Sequence, residues 1–343
     1  MSAPSKMQTT LHLAFSISHF SFFIEVFAGG SPMTDVVSVG ILVADALGKP
    51  IDRIPEEDRL ALFERMELHI GGCAANTGIA LSKLGAKVKV VGKVGADGFG
   101  DFIVKTLRKK NVDADGVVRD SSVSTSFTFV MITSAGKRRF LHCMGASAAF
   151  SLNDIDLSVL DDARILHVAG TYLMPTFDGE QTAGLLKQAQ KRGVITSMDT
   201  AFNDQVKDWS EIADLCLPYL DYFLPSFEEA EKITGESDPQ VIARRLKELC
   251  PGMVGIKLGA EGFYLKTDEV ERWISPYSVK VVDTSGAGDS FVAGFLRGIL
   301  EGWDAERCAR FGSATAAFCI GAIGCTAGLR SMQETLDFME RAG

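Results

Sequence analysis

Clusters of lysine and arginine are scarce in this sequence. The chain has 343 residues and a formal net charge of −9, with 44 acidic residues against 35 basic ones. Its concentrated basic run, residues 105–110, is most simply the solvated face of a helix. Because nucleic-acid backbones demand clustered positive charge, nucleic acid is not expected as a partner.

Metal-binding and redox spacings of cysteine and histidine are also missing. The seven cysteines form no Cys-x-x-Cys pair and no zinc spacing. The five histidines offer no metal constellation and no Ser-His-Asp arrangement that the sequence can support. These absences argue against a zinc domain and against hydrolase chemistry. We expect reduced, mostly buried thiols in a cytoplasmic protein.

A long apolar run free of polar residues is lacking too. Residues 11–27 are aromatic and apolar enough to resemble a secretory signal, but His12, His19 and Glu25 interrupt them. A membrane span is therefore not expected. We interpret residues 1–32 as a disordered or spurious extension, and we expect the folded domain, residues 33–343, to begin at Met33.

From residue 36 onward, strand signals alternate with helix signals. A β-branched run at 36–43 predicts a first buried strand, and short apolar runs predict further strands at 88–91, 165–168, 195–198, 222–224 and 254–258. Helical stretches separate most of them, at 180–191, 227–234, 239–249 and 305–320. This alternation predicts a three-layer α/β/α domain, with a mostly parallel central sheet covered on both faces.

Residues 283–291 form a glycine-rich segment that leads into an apolar helical stripe. Gly286 and Gly288 lack Cβ atoms, so the backbone around Ala287 can turn tightly at the start of a helix, where N–H donors bind phosphate. Asp289 follows in the first helical turn and can accept a proton from a hydroxyl. The segment therefore predicts an anion hole at Gly286, Ala287 and Gly288, a catalytic base at Asp289, and phosphoryl transfer to an alcohol.

Other motifs fit this segment less well. A dinucleotide fingerprint needs a third glycine where Phe291 stands. A Walker A loop needs Gly-Lys before serine or threonine, whereas the Gly-Lys pairs of this chain precede Pro50, Val94 and Arg138. A glycine-rich turn that merely opens a core helix is the remaining alternative, and a second motif counts against it.

The second motif lies at residues 71–100, which contain GGCAANTGIALSKLG and then VGKVGADGFG. Together with DTSGAGD at 283–289, it resembles the two signatures of the ribokinase-like (phosphofructokinase B) family of carbohydrate and nucleoside kinases. The resemblance covers residues 36–339. It implies the ribokinase-like fold and a small β-sheet lid, formed here by residues of about 46–70 and 127–143, that closes over the sugar. Ordinary surface insertions are the alternative for these two segments.

The resemblance implies an acceptor site built from the first motif. Asp45, expected to end the first strand of the sheet, would hold sugar hydroxyls. Gly71 and Gly72 let the backbone approach a polyol, and Asn76 offers a donor and an acceptor to vicinal hydroxyls. Helix capping is the alternative for Asn76. Cys73 stands where ribokinases themselves usually carry lysine, which puts ribose in doubt.

A nucleotide site is implied further along the chain. Residues 224–230 resemble the family's Asn-x-x-Glu motif, with Ser226 in place of asparagine and Glu229 kept. Glu229 is expected to bind Mg²⁺ through water, and solvated helix-start acids are the alternative. Lys257 is expected to contact a phosphate as a point charge, beside the nucleotide-facing turn of Gly259 and Gly262.

The resemblance gives expected roles to two more positions and leaves a third without one. Arg138 matches a lid position that reaches substrate or nucleotide in several sugar kinases of this family, and a surface charge is the alternative. Asp283, with the backbone around residues 320–326, is the expected site of an activating monovalent cation, K⁺. Asp199 follows a predicted strand near the cleft and has no assigned role.

The predicted function is ATP- and magnesium-dependent transfer of the γ-phosphoryl group to a primary hydroxyl of a small sugar, fructose-like or ribose-like. A nucleoside kinase is the nearest alternative, because the same scaffold serves both acceptors. A sugar sensor without catalysis is the second alternative, and the intact Asp289 and glycines argue against it. By resemblance, a homodimer through the lid is also expected.

Overall fold

A computed structural model of the chain describes residues 34–342, so the expected extension at residues 1–32 lies outside the described residues. The strands in this part are short and rich in valine and isoleucine. In chain order they are β1 (Thr34–Gly40), β2 (Val43–Lys49), β3 (Arg65–Gly71), β4 (Val88–Gly95), β5 (Asp113–Asp120), β6 (Phe127–Ile132), β7 (Arg138–Cys143), β8 (Ala163–Thr171), β9 (Ile195–Thr200), β10 (Tyr222–Phe223), β11 (Met253–Lys257), β12 (Phe263–Lys266) and β13 (Glu271–Ile274).

Nine of these strands form one large sheet, in the order β13-β12-β11-β10-β9-β8-β1-β4-β5. Strand pairs from β11 through β5 are parallel, whereas β12 and β13 are antiparallel additions at one edge. The parallel strands all end at the same edge of the sheet, where ligands bind in open α/β folds. The predicted mostly parallel sheet is confirmed.

Helices follow most of the strands. They are α1 (Cys73–Lys83), α2 (Gly98–Lys109), α3 (Gly145–Ala148), α4 (Glu180–Lys191), α5 (Trp209–Cys216), α6 (Phe227–Thr234), α7 (Pro239–Leu249), α8 (Ala287–Leu300), α9 (Ala305–Ile320) and α10 (Met332–Ala342). Among these described residues, no helix is long and apolar enough to cross a membrane.

The two faces of the large sheet carry separate hydrophobic cores. Successive strand residues point to opposite faces, so Val36 packs with α1, α8 and α9, whereas Val37 packs with α4 to α7. Both valines are completely buried. Each such side chain stabilises the fold by about 1.5 to 3 kcal/mol relative to its exposed state. The result is the predicted three-layer α/β/α arrangement.

A second, small sheet has the order β3-β2-β6-β7 and comes from the two segments predicted to form a lid. One expectation is wrong. The first strand does not continue through residue 43, because β1 ends at Gly40 (φ 150°), where any Cβ would overlap the Ala169 carbonyl. Asp45 therefore lies inside β2 of the small sheet, and it does not end a strand of the large sheet.

Candidate active site

The two sequence motifs meet at one side-chain contact. Asn76 is in the first turns of α1 and Asp289 is in the first turn of α8, and Asn76 Nδ2 donates to Asp289 Oδ2 at 2.8 Å. A carboxylate oxygen can only accept, so the amide nitrogen must face it. The amide oxygen, Asn76 Oδ1, is buried and has no hydrogen-bond partner among the described residues. A buried acceptor without a partner is unusual in a folded protein, and a hydroxyl group of a ligand would satisfy it.

The glycine-rich segment forms the N-terminus of α8. Gly286 is the N-cap residue with φ 73°, a left-handed conformation that favours glycine. It also packs tightly, because a Cβ at Gly286 would lie 2.6 Å from Cys325 Cβ. The Ala287 N–H already donates to the Thr284 carbonyl at 3.3 Å, whereas the next N–H groups of α8 lack an intrahelical partner and can bind an anion, helped by the helix dipole. Gly286, Ala287 and Gly288 thus lie where the sequence placed them.

A buried ion pair lies next to this helix start. Lys257 Nζ donates to both carboxylate oxygens of Asp199, each at 2.6 Å. A Cβ at Gly288 would lie 3.3 Å from Lys257 Nζ, so the ammonium is adjacent to the start of α8. Burial lowers the pKa of Lys257, but the carboxylates of Asp199, Glu229 and Asp289 outweigh burial and keep that pKa raised. The lysine is therefore a permanent positive charge at the helix start.

The same burial affects the acidic neighbours. Burial raises the pKa of Asp199 to about 7, against the opposing effect of Lys257. Asp289 shows the same direction, because burial raises its pKa although Asn76 and Lys257 lower it. A carboxylate with a raised pKa is a stronger proton acceptor than that of an exposed aspartate. The environment of Asp289 therefore suits general-base chemistry.

Ser226 and Glu229 form a reciprocal capping box at the start of α6. The Ser226 N–H donates to Glu229 Oε2 at 2.8 Å, and Thr200 Oγ1 donates to the same oxygen at 2.6 Å. Glu229 is therefore a helix-start acid, but it is buried, at 6% exposure, and not solvated as that alternative requires. The backbones of Ser226 and Lys257 form an isolated parallel β-bridge, so the capping box lies beside the buried ion pair.

Gly259 and Gly262 lie in the turn that follows β11, as the sequence indicated. Both have positive φ, at 58° and 97°. A Cβ at Gly262 would overlap the Ile274 carbonyl, which gives that glycine a structural reason independent of any nucleotide. Gly259 and the two residues after it form a short 3₁₀ turn.

Asp45 lies on the cavity-facing side of the small sheet. A Cβ at Gly71 would overlap the Asp45 carboxylate, so the glycine makes room for that side chain. Burial raises the pKa of Asp45, although a hydrogen bond with Thr128 and the nearby His69 lower it. Gly72 begins α1 with φ 90°, where a side chain would collide with the Ile41 carbonyl. Asp45, Gly71 and Gly72 are thus brought together beside the cavity.

Arg138 projects from the start of β7 to the loop before α8. Its Nη1 donates to Asp283 Oδ1 and to Ser285 Oγ, both at 2.7 Å. Hydrogen bonds from Arg138, Gly324 and Ser285 lower the pKa of Asp283 well below its ordinary value, although burial opposes them. Asp283 is therefore ionised and already neutralised by an arginine.

A cavity of about 720 Å³ lies between the small sheet and the carboxyl ends of the large sheet. Five of the predicted site residues line it, namely Asp45, Gly72, Asn76, Arg138 and Asp283. Phe202 and Asn203, which follow Asp199 in the segment expected near the cleft, also line it. Sequence reasoning missed other lining residues, such as Thr128, His142 and Leu173. The two strand residues could have been found from the period of two along β6 and β7, whereas nothing in the sequence marks Leu173.

No group of three or more His, Cys, Asp or Glu side chains within residues 34–342 is arranged to hold a metal ion directly. Mg²⁺ in nucleotide sites commonly keeps several waters and binds through one or two carboxylates plus phosphates. Glu229 and Asp199 are the carboxylates near the start of α8, and both oxygens of Asp199 already accept from Lys257.

Comparisons with known proteins agree with this geometry. The family model described as "pfkB family carbohydrate kinase" matches residues 33–332. A 5-dehydro-2-deoxygluconokinase of Clostridium perfringens is 27% identical over 321 residues, covering 90% of this chain and 93% of that protein. An uncharacterized sugar kinase of Archaeoglobus fulgidus is 31% identical over 255 residues, covering 73% of this chain and 98% of that protein.

A solved structure gives the same result for the fold. Arabidopsis thaliana ribokinase complexed with ribose and ATP superposes with a TM-score of 0.79 at 26% identity, covering 90% of this chain and 99% of that chain. The fold expected from the two motifs is confirmed. Since the family model covers both motifs and the sheet between them, the chain belongs to the pfkB family of carbohydrate kinases, which are phosphotransferases with the ribokinase-like fold.

Proposed function

We propose that this chain transfers the γ-phosphoryl group of magnesium-bound ATP to a primary hydroxyl of a small sugar. The observation that carries the proposal is the Asn76–Asp289 contact, which joins a free amide acceptor, a carboxylate of raised pKa and the start of α8. These are the parts that transfer to an alcohol requires: a place for the hydroxyl, a base for its proton and donors for the moving anion.

Asp289 is the proposed base and the N–H groups around Gly286, Ala287 and Gly288 the proposed anion hole. Phosphoryl transfer needs little covalent chemistry from the protein, so positioning and charge stabilisation dominate. Donors at the helix start act when negative charge shifts onto the transferring oxygens. The small sheet is proposed to act as a lid over the cavity, because water would otherwise compete with the sugar as acceptor.

The nucleotide is proposed to bind across the start of α8 and the turn of Gly259 and Gly262. Lys257 would meet its phosphates as a fixed positive charge. Magnesium, when bound, neutralises phosphate charge, and Glu229 would hold its waters beside Ser226. The Arabidopsis ribokinase solved with ribose and ATP supports this use of the fold.

The acceptor is proposed to be a fructose-like or ribose-like sugar bound by Asp45, Gly71, Gly72 and Asn76. An ATP-turnover screen against fructose, ribose, a keto-deoxy sugar acid and a nucleoside tests this, with the Asp289→Asn variant as the blank. The Clostridium relative, by its name, acts on a sugar acid, so that arm is included. Preference for the nucleoside would favour the nucleoside kinase. Sugar binding without any turnover would favour the sensor.

Replacing Asp45 with alanine is expected to weaken acceptor binding far more than ATP binding. Asp45 faces the cavity from the small sheet, whereas the proposed phosphate site lies at the start of α8. An unpaired group in a desolvated site costs about 1 to 3 kcal/mol, or roughly a 5- to 150-fold loss of acceptor affinity. Calorimetry with the sugar and with ATP measures both effects. An equal loss for the two ligands would show that Asp45 is wrongly assigned.

A monovalent cation is proposed at Asp283 and the backbone of residues 320–326. Its support is the loop that Asp283 organises, in which Gly324 N–H donates to Asp283 Oδ2 at 2.8 Å and Val282 N–H donates to the Ile320 carbonyl at 2.8 Å. Because Arg138 already neutralises Asp283, activation by K⁺ should be modest. Turnover that is unchanged when a large organic cation replaces K⁺ would remove the proposal.

A homodimer through the small sheet is the remaining proposal about partners. The face of this sheet away from the cavity exposes Met66, Leu68 and Leu141, whose side chains are 64%, 39% and 61% accessible. Burying such a patch is favourable in water. Sedimentation of the wild type and of Leu141→Glu tests this, and a monomeric wild type would contradict it.

All seven cysteines are free, which suits the reducing, ATP-containing cytoplasm that we propose as the location.

A further inference from the structure

Arg138 connects the small sheet with the loop that leads into α8. It belongs to β7 of the small sheet, yet its guanidinium contacts the loop that leads into α8. The side chain is 24% exposed and its partner Asp283 is 2% exposed. A single nitrogen, Nη1, bridges Asp283 Oδ1 and Ser285 Oγ at 2.7 Å each. The contact therefore joins residues that are 145 positions apart in the chain.

Asp283 organises the loop that ends in the anion hole. Its Oδ1 also accepts from the Ser285 N–H at 2.9 Å, and its Oδ2 accepts from the Gly324 N–H at 2.8 Å. Ser285 directly precedes Gly286, and Cys325, next to Gly324, packs against Gly286. Any displacement of the Asp283 carboxylate would therefore move both segments that fix the conformation of Gly286.

We infer that Arg138 is a positioning residue that couples the small sheet to the shape of the anion hole. When β7 lies over the acceptor cavity, Arg138 neutralises Asp283 and orients Ser285, which sets the backbone of Gly286. The anion hole is then complete only while the cavity is covered. This inference rests on the proposed phosphoryl transfer at Asp289, and it gives Arg138 a role other than direct contact with sugar or nucleotide.

The energetics favour this role. Asp283 is almost fully buried and ionised, and removing one partner of such a pair leaves an uncompensated charge in a place of low polarity. The carboxylate would then turn toward water or other donors and pull the loop with it. Displacing the loop would destabilise the transition state more than it weakens ground-state binding, because the transition state depends on correctly placed N–H donors.

The test is a double-mutant cycle between Arg138→Gln and Asp283→Asn, with Lys137→Gln as the control. Lys137 is the neighbouring exposed residue, so its substitution removes the same charge without touching the loop. We expect Arg138→Gln to lower kcat by about 10- to 100-fold, the scale of a hydrogen bond to a charged group. Arg138→Lys should recover part of this loss. Lys137→Gln should stay within about twofold of wild type.

In the double variant, kcat should be no lower than in the worse single variant, because both changes break the same contact. Thermal unfolding confirms that each variant is folded, and Ser285→Ala replaces Asp283→Asn in the cycle if the latter does not fold. Losses that multiply, an effect confined to the acceptor KM, or an unchanged kcat in Arg138→Gln would each overturn the inference. A wild type without sugar-dependent ATP turnover would instead show that the proposed function itself is wrong.

Discussion

Asp289→Asn is expected to lower turnover by about 100- to 10,000-fold, the usual contribution of a general base. Asparagine keeps the shape of the side chain and can still bond to Asn76, but it cannot take the hydroxyl proton. ATP affinity should persist, because the N–H groups at the start of α8 remain and a negative charge near the phosphates has gone. Steady-state kinetics with the preferred sugar and calorimetry with ATP measure the two effects.

A matched variant separates catalysis from helix capping. Asp304 is the N-cap of α9, where its Oδ1 accepts from the Arg307 N–H at 2.8 Å. Asp304→Asn should therefore cost a little stability and almost no activity, since asparagine caps helices nearly as well. If Asp289→Asn keeps more than about a tenth of wild-type turnover, as a capping residue would, the proposed mechanism is wrong.

The wild type and the Asp289→Asn variant should differ in how their activity and stability depend on pH. Asp289 acts as a base only when deprotonated, so wild-type kcat should fall as the pH drops through its raised pKa. In the folded state this pKa lies above its unfolded value, so ionisation of Asp289 costs stability as the pH rises through that window. The neutral asparagine avoids this cost. Removing the charge in Asp289→Asn should therefore not lower the unfolding temperature at pH 7.

The sequence allowed the layers and the glycine turn at the start of α8 to be predicted because both depend on local patterns. Alternating apolar runs predicted the parallel sheet, and glycine spacing predicted the turn at Gly286. The meeting of Asn76 with Asp289 could be expected only by resemblance, because a contact across 213 residues leaves no local trace.

Errors and omissions arose where tertiary contacts decide. Asp45 was assigned to the wrong sheet, because a β-branched run does not reveal that Gly40 ends β1 against the Ala169 carbonyl. The pairing of Lys257 with Asp199 and that of Arg138 with Asp283 depend on which strand ends become neighbours. Charged residues at such positions look the same in sequence whether they are solvated or paired.

Gly286→Ala is expected to reduce kcat by at least about 100-fold, because losing one well-placed anion-hole donor typically costs 100- to 1,000-fold. The alanine Cβ would lie 2.6 Å from Cys325 Cβ and 2.9 Å from its backbone, so the loop must shift. Non-glycine residues at φ 73° also carry a strain of roughly 1 to 2 kcal/mol. The change therefore acts on both stability and the placement of the N–H donors.

Gly302→Ala provides the control for strain, because Gly302 has the same φ of 73° and no atom within 4 Å of an added Cβ. Both variants should lose stability because alanine is strained at this positive φ. Only Gly286→Ala should also lose turnover, because only there would the anion hole be displaced. Measuring kcat and the unfolding temperature of both separates the effects. Equal losses of kcat would mean that strain alone explains Gly286, and the phosphate-binding role of the α8 N-terminus would have to be abandoned.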